Sequence, residues 1–205
     1  MILKDGEVTQ IEAARIISAG GIIAFRTDTF YGLGADPFDQ EAIQKIKTLK
    51  GREDRKPILV LISDSEQLDR LVAERSAAFD LLSKRFWPGP LTIIGTASEG
   101  LSDELTAGTK TVGVRLADDD RVRALVRRCG GALTATSANR AGMPPAKTAG
   151  EVQHYFGDQI EMIVDGGQAK TDQPSTVVDA TGEEVALVRE GIISWSAIQS
   201  VLSRV

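Results

Sequence analysis

Four short stretches of this sequence put cations, hydroxyls and an amide where apolar segments end. Lys50-Gly51-Arg52 follows a run with helical spacing and precedes the apolar segment PILVLI (57–62). A basic triplet there also suits a solvated helix C-terminus, whose partial negative charge favours cations. Arg115 sits inside TVGVRLA (111–117). An arginine embedded in such a strand needs an anionic partner, and either an internal Asp or Glu or a bound ligand supplies one. TSAN (136–139) closes an apolar run with small hydroxyl and amide groups, which turn chemistry alone also explains. Arg189-Glu190-Gly191 closes the last apolar run. Taken together, these ends suit a phosphate-bearing ligand plus a small carboxylate.

Several common chemistries lack their residues. HExxH, a CxxC pair and GxSxG are all missing, as is the P-loop signature. That last absence sharpens the question raised by RTDTFYGLG (26–34), a polar, glycine-containing loop behind the apolar run GIIAF (21–25). The sole histidine, His154, lies in a helical pattern beside Tyr155 and Phe156, with no serine placed to partner it. Cys129 ends a helical pattern and reads as a buried structural thiol.

The elements that must position these groups follow from periodicity and caps. Thr9-x-x-Glu12 predicts a capping box ahead of IEAARIISAGG, with Ile11, Ala14 and Ile17 on one face. GIIAF predicts a buried strand. Asp39 is placed to cap QEAIQKIKTLK, whose Ile43, Ile46 and Leu49 share a face. PILVLI is rich in branched residues, as in a strand buried on both faces.

A helical region is expected over 64–86, stopped by WPGP (87–90). LTIIGT (91–96), TVGVRL (111–116) and ALTATS (132–137) read as strands. Between the last two, DDDRVRALVRRCGG orders acids before bases, as a helix dipole favours. Thr148-x-x-Glu151 is a second capping box. IEMIVD (160–165), STVVDA (175–180) and VALVRE (185–190) are three further strands, and SWSAIQSVLSRV is a closing helix. Alternation in the first part and consecutive strands in the last predict an α/β fold with a large, partly antiparallel sheet. A single domain over 1–205 is the simplest organisation.

Composition narrows the partners. The chain has 205 residues, 42% of them hydrophobic and 26% charged, enough for one substantial core. Its net charge of -5 argues against DNA and against broad, non-specific nucleic-acid binding. A local basic stretch, KIKTLKGREDRK, sets Lys45, Lys47, Lys50, Arg52, Arg55 and Lys56 against Glu53 and Asp54. One cysteine allows no internal disulfide, which fits a reducing compartment. Charge arrives at Lys4 and Asp5, too early for a signal peptide, and no uncharged apolar run reaches the ~18 residues a membrane helix needs. A soluble, cytoplasmic protein without a membrane partner is expected.

The ordered set TDTFYGLG, KGR followed by KPILVLI, WPGPLT, TVGVRLA, TSANRAG and PSTVVDATG…LVREG resembles the YrdC-like threonylcarbamoyl-AMP synthases over about residues 8 to 192. Lys50, Arg52, Ser137 and Asn139 meet that family's Lys-x-Arg…Ser-x-Asn pattern. The resemblance implies a YrdC-like fold, a twisted open mixed sheet with flanking helices and a concave active-site surface. It implies condensation of L-threonine, bicarbonate or CO2 and ATP into threonylcarbamoyl-AMP and pyrophosphate, for threonylcarbamoyladenosine modification of tRNA. By the same match, Lys50 and Arg52 are the catalytic, phosphate-facing cations. Lys56, Thr111, Ser137, Asn139 and Arg189 join them at ATP, and Thr29, Arg115 and Ser175 hold L-threonine. Mg2+ is expected on the ATP phosphates, without a metal site in the protein. RTDTFYGLG then belongs to the amino acid rather than to the phosphates. A threonylcarbamoyl-transfer complex and tRNA are the implied downstream partners.

The match has three departures. Arg26 stands where many relatives have Pro, and Leu61 where some have a histidine that contacts threonine. The sequence also closes at Val205, without the extra C-terminal domain of the long form. Two rival readings remain: an RNA-binding module of the same fold that makes no adenylate, and a related adenylating enzyme acting on another amine, as in hydrogenase maturation.

Overall fold

A computed structural model describes residues 1–51 and 56–203. Among these, twelve strands form two mixed sheets, accompanied by eight α-helices. In chain order the strands are β1 (Ile2–Lys4), β2 (Ile23–Arg26), β3 (Tyr31–Gly34), β4 (Val60–Ile62), β5 (Val72–Glu74) and β6 (Leu91–Ala97). They continue with β7 (Thr111–Leu116), β8 (Ala132–Thr134), β9 (Thr136–Ser137), β10 (Met162–Asp165), β11 (Thr176–Asp179) and β12 (Ala186–Arg189). The helices are α1 (Glu7–Ser18), α2 (Gln40–Lys50), α3 (Leu68–Leu71), α4 (Ala77–Phe86), α5 (Asp103–Thr106), α6 (Asp120–Arg128), α7 (Ala149–Phe156) and α8 (Trp195–Leu202).

The mixed α/β class holds, but the expected large sheet is divided. The first sheet runs β1-β10-β2-β3-β9, and the second runs β12-β11-β6-β7-β4-β8 with β5 added on β6. The division falls inside ALTATS. Thr134 ends β8 against β4, and Thr136 opens β9 against β3, so the chain changes sheets at Ala135. Two bonds hold this corner: Ala35 N–H donates to Thr134 Oγ1 at 2.8 Å, and Thr134 N–H donates to the Ala35 carbonyl at 3.0 Å. A strand that serves two sheets this way looks continuous in sequence, because no Gly, Pro, Asn or Asp interrupts ALTATS.

Local signals explain most element starts. Asp39 accepts from the N–H groups of Glu41 and Ala42 to cap α2, and Asp119 accepts from Arg121 and Val122 to cap α6. Thr148 caps α7 by accepting from Glu151 N–H at 3.2 Å, while the Glu151 carboxylate accepts from Lys147 N–H. The Thr9 box does not form. Helix α1 starts two residues earlier at Glu7 behind an uncapped Gly6, and the Thr9 hydroxyl donates instead to the Lys4 carbonyl at 2.7 Å. The 64–86 region is not one helix: β5 interrupts it, because Val72 and Glu74 pair with β6, and α4 restarts from a Ser76 cap. Of PILVLI, only Val60–Ile62 pairs in the ladder. Sequence reading leaves out β1 and β3, which are short and gain their partners from distant segments.

Two cores result. A smaller one lies under α1 and α6, built from Ile17, Phe25, Leu61, Val126, Leu133 and Met162. A larger one includes Leu33, Ile43, Ile46, Val60, Phe79, Leu82, Leu91 and Phe156, with helices α2, α4 and α7 contributing. Gly34 lies where the hairpin meets β8. A Cβ there would come within 2.8 Å of the Phe25 ring and 3.0 Å of the Leu133 side chain, so only glycine admits this approach.

Candidate active site

RTDTFYGLG is the turn and return strand of the β2–β3 hairpin, with Arg26 paired to Tyr31. Threonine chemistry shapes the turn. Thr27 Oγ1 accepts from Thr29 N–H at 3.1 Å and donates to the Phe30 carbonyl at 2.8 Å, while its own N–H closes on Phe30 at 3.0 Å. The Thr29 hydroxyl lies 3.1 Å from that of Thr27. The turn therefore has few unsatisfied backbone groups and presents two hydroxyls.

A cavity of about 600 Å3 opens beside it, walled by residues of both sheets. Thr29 comes from the hairpin, Thr111 and Arg115 from β7, Ser137 from β9, and Ser175 and Arg189 from the β11–β12 region. Lys56 completes the set. Seven of the residues singled out from sequence thus meet around one space.

Arg115 is 2% exposed, and burial pulls its pKa down, opposed by the charge of Asp28. Its Nη2 lies 3.2 Å from Asp28 Oδ1, an ion pair without hydrogen-bond geometry, since that oxygen and Arg115 Nε both lack a hydrogen-bond partner. The internal anion anticipated for Arg115 is therefore present and leaves the guanidinium partly unsatisfied. Arg189 donates to the Ser175 carbonyl from Nη2 at 2.9 Å and from Nε at 3.3 Å, and to Ser175 Oγ at 3.3 Å. Its pKa is lowered by partial burial and by the like charge of Arg115. Two guanidiniums that repel each other across a cavity make a seat for anions.

Ser175 is held from the other side by Thr92, whose hydroxyl lies 3.1 Å away. Gly191 lets the chain beyond β12 close on this segment: a Cβ there would sit 2.1 Å from the Pro174 carbonyl oxygen.

Lys50 and Asn139 stand behind the wall rather than on it. Lys50 is 3% exposed, and its ammonium donates to the Ser137 carbonyl and, at 3.2 Å, to that of Asn139. Asn139 Nδ2 donates to the carbonyls of Arg140 (3.1 Å) and Met143 (2.7 Å), while its buried Oδ1 has no partner. Both side chains shape the TSAN turn. Arg52 lies outside the described residues. Sequence reasoning passed over Asp28 and Thr92 as site residues, although both fall inside quoted motifs. The available signal was the buried arginine's need for a carboxylate and the period-2 alternation that turns Thr92 toward Ser175.

Neighbouring groups support the hairpin. Arg26 Nη2 pairs with Asp119 Oδ2 at 2.8 Å, and Lys170 meets the same oxygen at 3.0 Å. Tyr31 donates to the Gly167 carbonyl at 2.7 Å, and burial with Asp165 nearby pushes its pKa upward. Leu61 pairs in register with Arg115 and packs into the smaller core. His154 is exposed on α7 and tilted against Tyr155, away from the cavity. Burial pushes the Cys129 thiol up to about 12, as in an inert structural cysteine. No helix among the described residues is long and apolar enough to cross a membrane.

The chain has known relatives. The Sua5/YciO/YrdC family model, described as telomere recombination, matches residues 15–191. The chain belongs to this family. Among curated members, the threonylcarbamoyl-AMP synthase of Idiomarina loihiensis is 38% identical over 85% of this chain and 95% of its own length. That of Pyrococcus abyssi is 36% identical over 94% of this chain, which spans 57% of that longer relative. The solved P. abyssi Sua5 complexed with L-threonine superposes with a TM-score of 0.95 at 34% identity, covering 100% of this chain and 62% of that one. E. coli YciO shares the fold at a TM-score of 0.84 and 24% identity, with 97% of each chain covered.

Proposed function

We propose that this Sua5/YciO/YrdC member is an L-threonylcarbamoyladenylate synthase, a nucleotidyltransferase that condenses L-threonine, CO2 drawn from bicarbonate, and ATP. The observation that carries the proposal is the convergence of Arg115, Thr29 and Ser175 with Lys56, Thr111, Ser137 and Arg189 around one cavity. That convergence occurs in a chain whose relatives carry the synthase name.

The chemistry needs no protein nucleophile. The threonine amine attacks the carbon of CO2, forming the N–C bond and releasing a proton to solvent. A carbamate oxygen then attacks the α-phosphorus, and the bond to the β-phosphate oxygen breaks with its electron pair leaving on pyrophosphate. The protein's task is to hold the two substrates in line and to stabilise charge on the phosphates.

Arg115 suits the amino-acid carboxylate because its buried guanidinium has an unsatisfied N–H and a fork that matches two oxygens. Thr29 and Ser175 supply hydroxyls beside it. Lys56, Thr111, Ser137 and Arg189 are assigned to the nucleotide, with Arg52 from the matching motif. Lys50 and Asn139 hold the turn that presents Ser137. The side-chain polar groups of the cavity lining are hydroxyls and cations, with no carboxylate among the described residues, which suits Mg2+ arriving on phosphate oxygens. On ATP the ion would neutralise phosphate charge. The adenylate product is assigned to a threonylcarbamoyl-transfer complex acting on tRNA, and the cytoplasm is where those substrates meet.

The test is pyrophosphate release by the purified protein, with L-threonine, bicarbonate and Mg2+ omitted in turn. Release that needs all three, with threonylcarbamoyl-AMP detected by mass spectrometry, is the expected result. A folded protein that releases none, yet binds RNA in a salt-sensitive way, would favour the RNA-binding alternative.

A further inference from the structure

Asp28 belongs to the hairpin turn that carries Thr29, and its carboxylate reaches across to the β7 segment that carries Arg115. Its Oδ1 sits 3.2 Å from Arg115 Nη2, with side chains only 6% and 3% exposed. Its Oδ2 accepts, at 3.3 Å, from the N–H of Asp118, two residues beyond the end of β7. One carboxylate therefore straddles the loop carrying Thr29 and the strand carrying Arg115. In a buried ion pair the partner offsets the cost of removing the guanidinium from water, and the Asp28 charge acts on Arg115 in that sense. The pair lacks hydrogen-bond geometry, and Arg115 Nε has no acceptor although its residue lines the cavity. Asp28 thus fixes one edge of the fork and leaves another N–H unmatched.

We propose that Asp28 is a positioning residue for amino-acid binding, which orients the Arg115 guanidinium toward the substrate carboxylate. The proposal rests on the synthase reading, because the carboxylate is that of L-threonine. A buried N–H without an acceptor is costly, and a carboxylate that reaches it gains more than one at an already satisfied fork. Without Asp28, Arg115 is free to swing toward other acceptors and the alignment is lost.

The experiment is calorimetric titration of L-threonine and, separately, of ATP into wild type, Asp28→Asn, Arg115→Ala and the double variant. Asparagine keeps the shape and an oxygen for Asp118 N–H but removes the charge. The expected result is threonine affinity weakened about tenfold or more in D28N, ATP affinity within about twofold, and no further loss when D28N is added to R115A. Unchanged or tighter threonine binding in D28N would overturn the proposal, as would an equal D28N loss with and without Arg115. Should D28N fail to fold, Asp28→Glu carries the test, since it keeps the charge and displaces it by one methylene. Weaker threonine binding with ATP binding kept supports positioning, and unchanged threonine binding overturns it. A folded wild type that binds no L-threonine would overturn the synthase reading itself.

Discussion

The Lys50 ammonium lies 3.2 Å from the Asn139 carbonyl oxygen and donates to the Ser137 carbonyl as well, so the end of α2 is stapled to the TSAN turn. Ala141 N–H adds a bond to the Lys50 carbonyl at 3.0 Å. Lys50→Met keeps most of the volume and removes the charge. Hydrogen bonds to charged groups contribute about 1.5–3 kcal/mol each, so losing both should show in urea unfolding as a stability loss of at least about 3 kcal/mol. Displacing Ser137 should also raise the KM for ATP more than that for L-threonine. A large ATP defect at unchanged stability would instead put the ammonium on the phosphates during turnover.

Arg115→Ala separates the two substrates. Losing one partner of a desolvated, hydrogen-bonded charge pair costs about 2–5 kcal/mol. Threonine affinity should fall by that amount, with ATP binding nearly unchanged, as read by calorimetry. Equal losses for both ligands would place Arg115 between the substrates rather than on the carboxylate.

Local chemistry made the caps at Asp39, Ser76, Asp119 and Thr148 into real helix starts, and three of those four starts could be read from the residues. Thr9 shows the limit: its hydroxyl has two acceptable partners, and the neighbouring Lys4 carbonyl takes it. The switch between sheets at Ala135 was invisible because no turn residue marks it in ALTATS. Only the contacts of β3 and β4, distant in sequence, divide the strand. Arg115 was legible as a site residue because a charge inside an apolar strand demands a partner. That the partner is Asp28 depends on how the hairpin turn folds over β7, which spacing does not encode. Lys50 and Asn139 matched a motif, and a motif cannot say whether a side chain faces the cavity or braces the turn behind it.

Asp119 ties the hairpin to helix α6 and should make stability fall in acid. Its Oδ2 meets Arg26 at 2.8 Å and Lys170 at 3.0 Å, while Oδ1 caps α6 through Arg121 and Val122. Burial alone would raise its pKa, but the bond from Lys170, the charge of Arg26 and the cap together hold it below the ordinary carboxylate range. With the folded pKa depressed, the contribution is fully present above the unfolded value of about 3.9. It is lost as pH falls from there through the folded value. Asp119→Ala also leaves Arg26 buried and unpaired, a loss of about 3–5 kcal/mol near neutral pH. Urea unfolding of wild type and D119A from pH 7 to about pH 2 should show a gap that stays wide down to about pH 4 and narrows below it. A gap that stays constant with pH would mean the cost is packing rather than the ionised carboxylate.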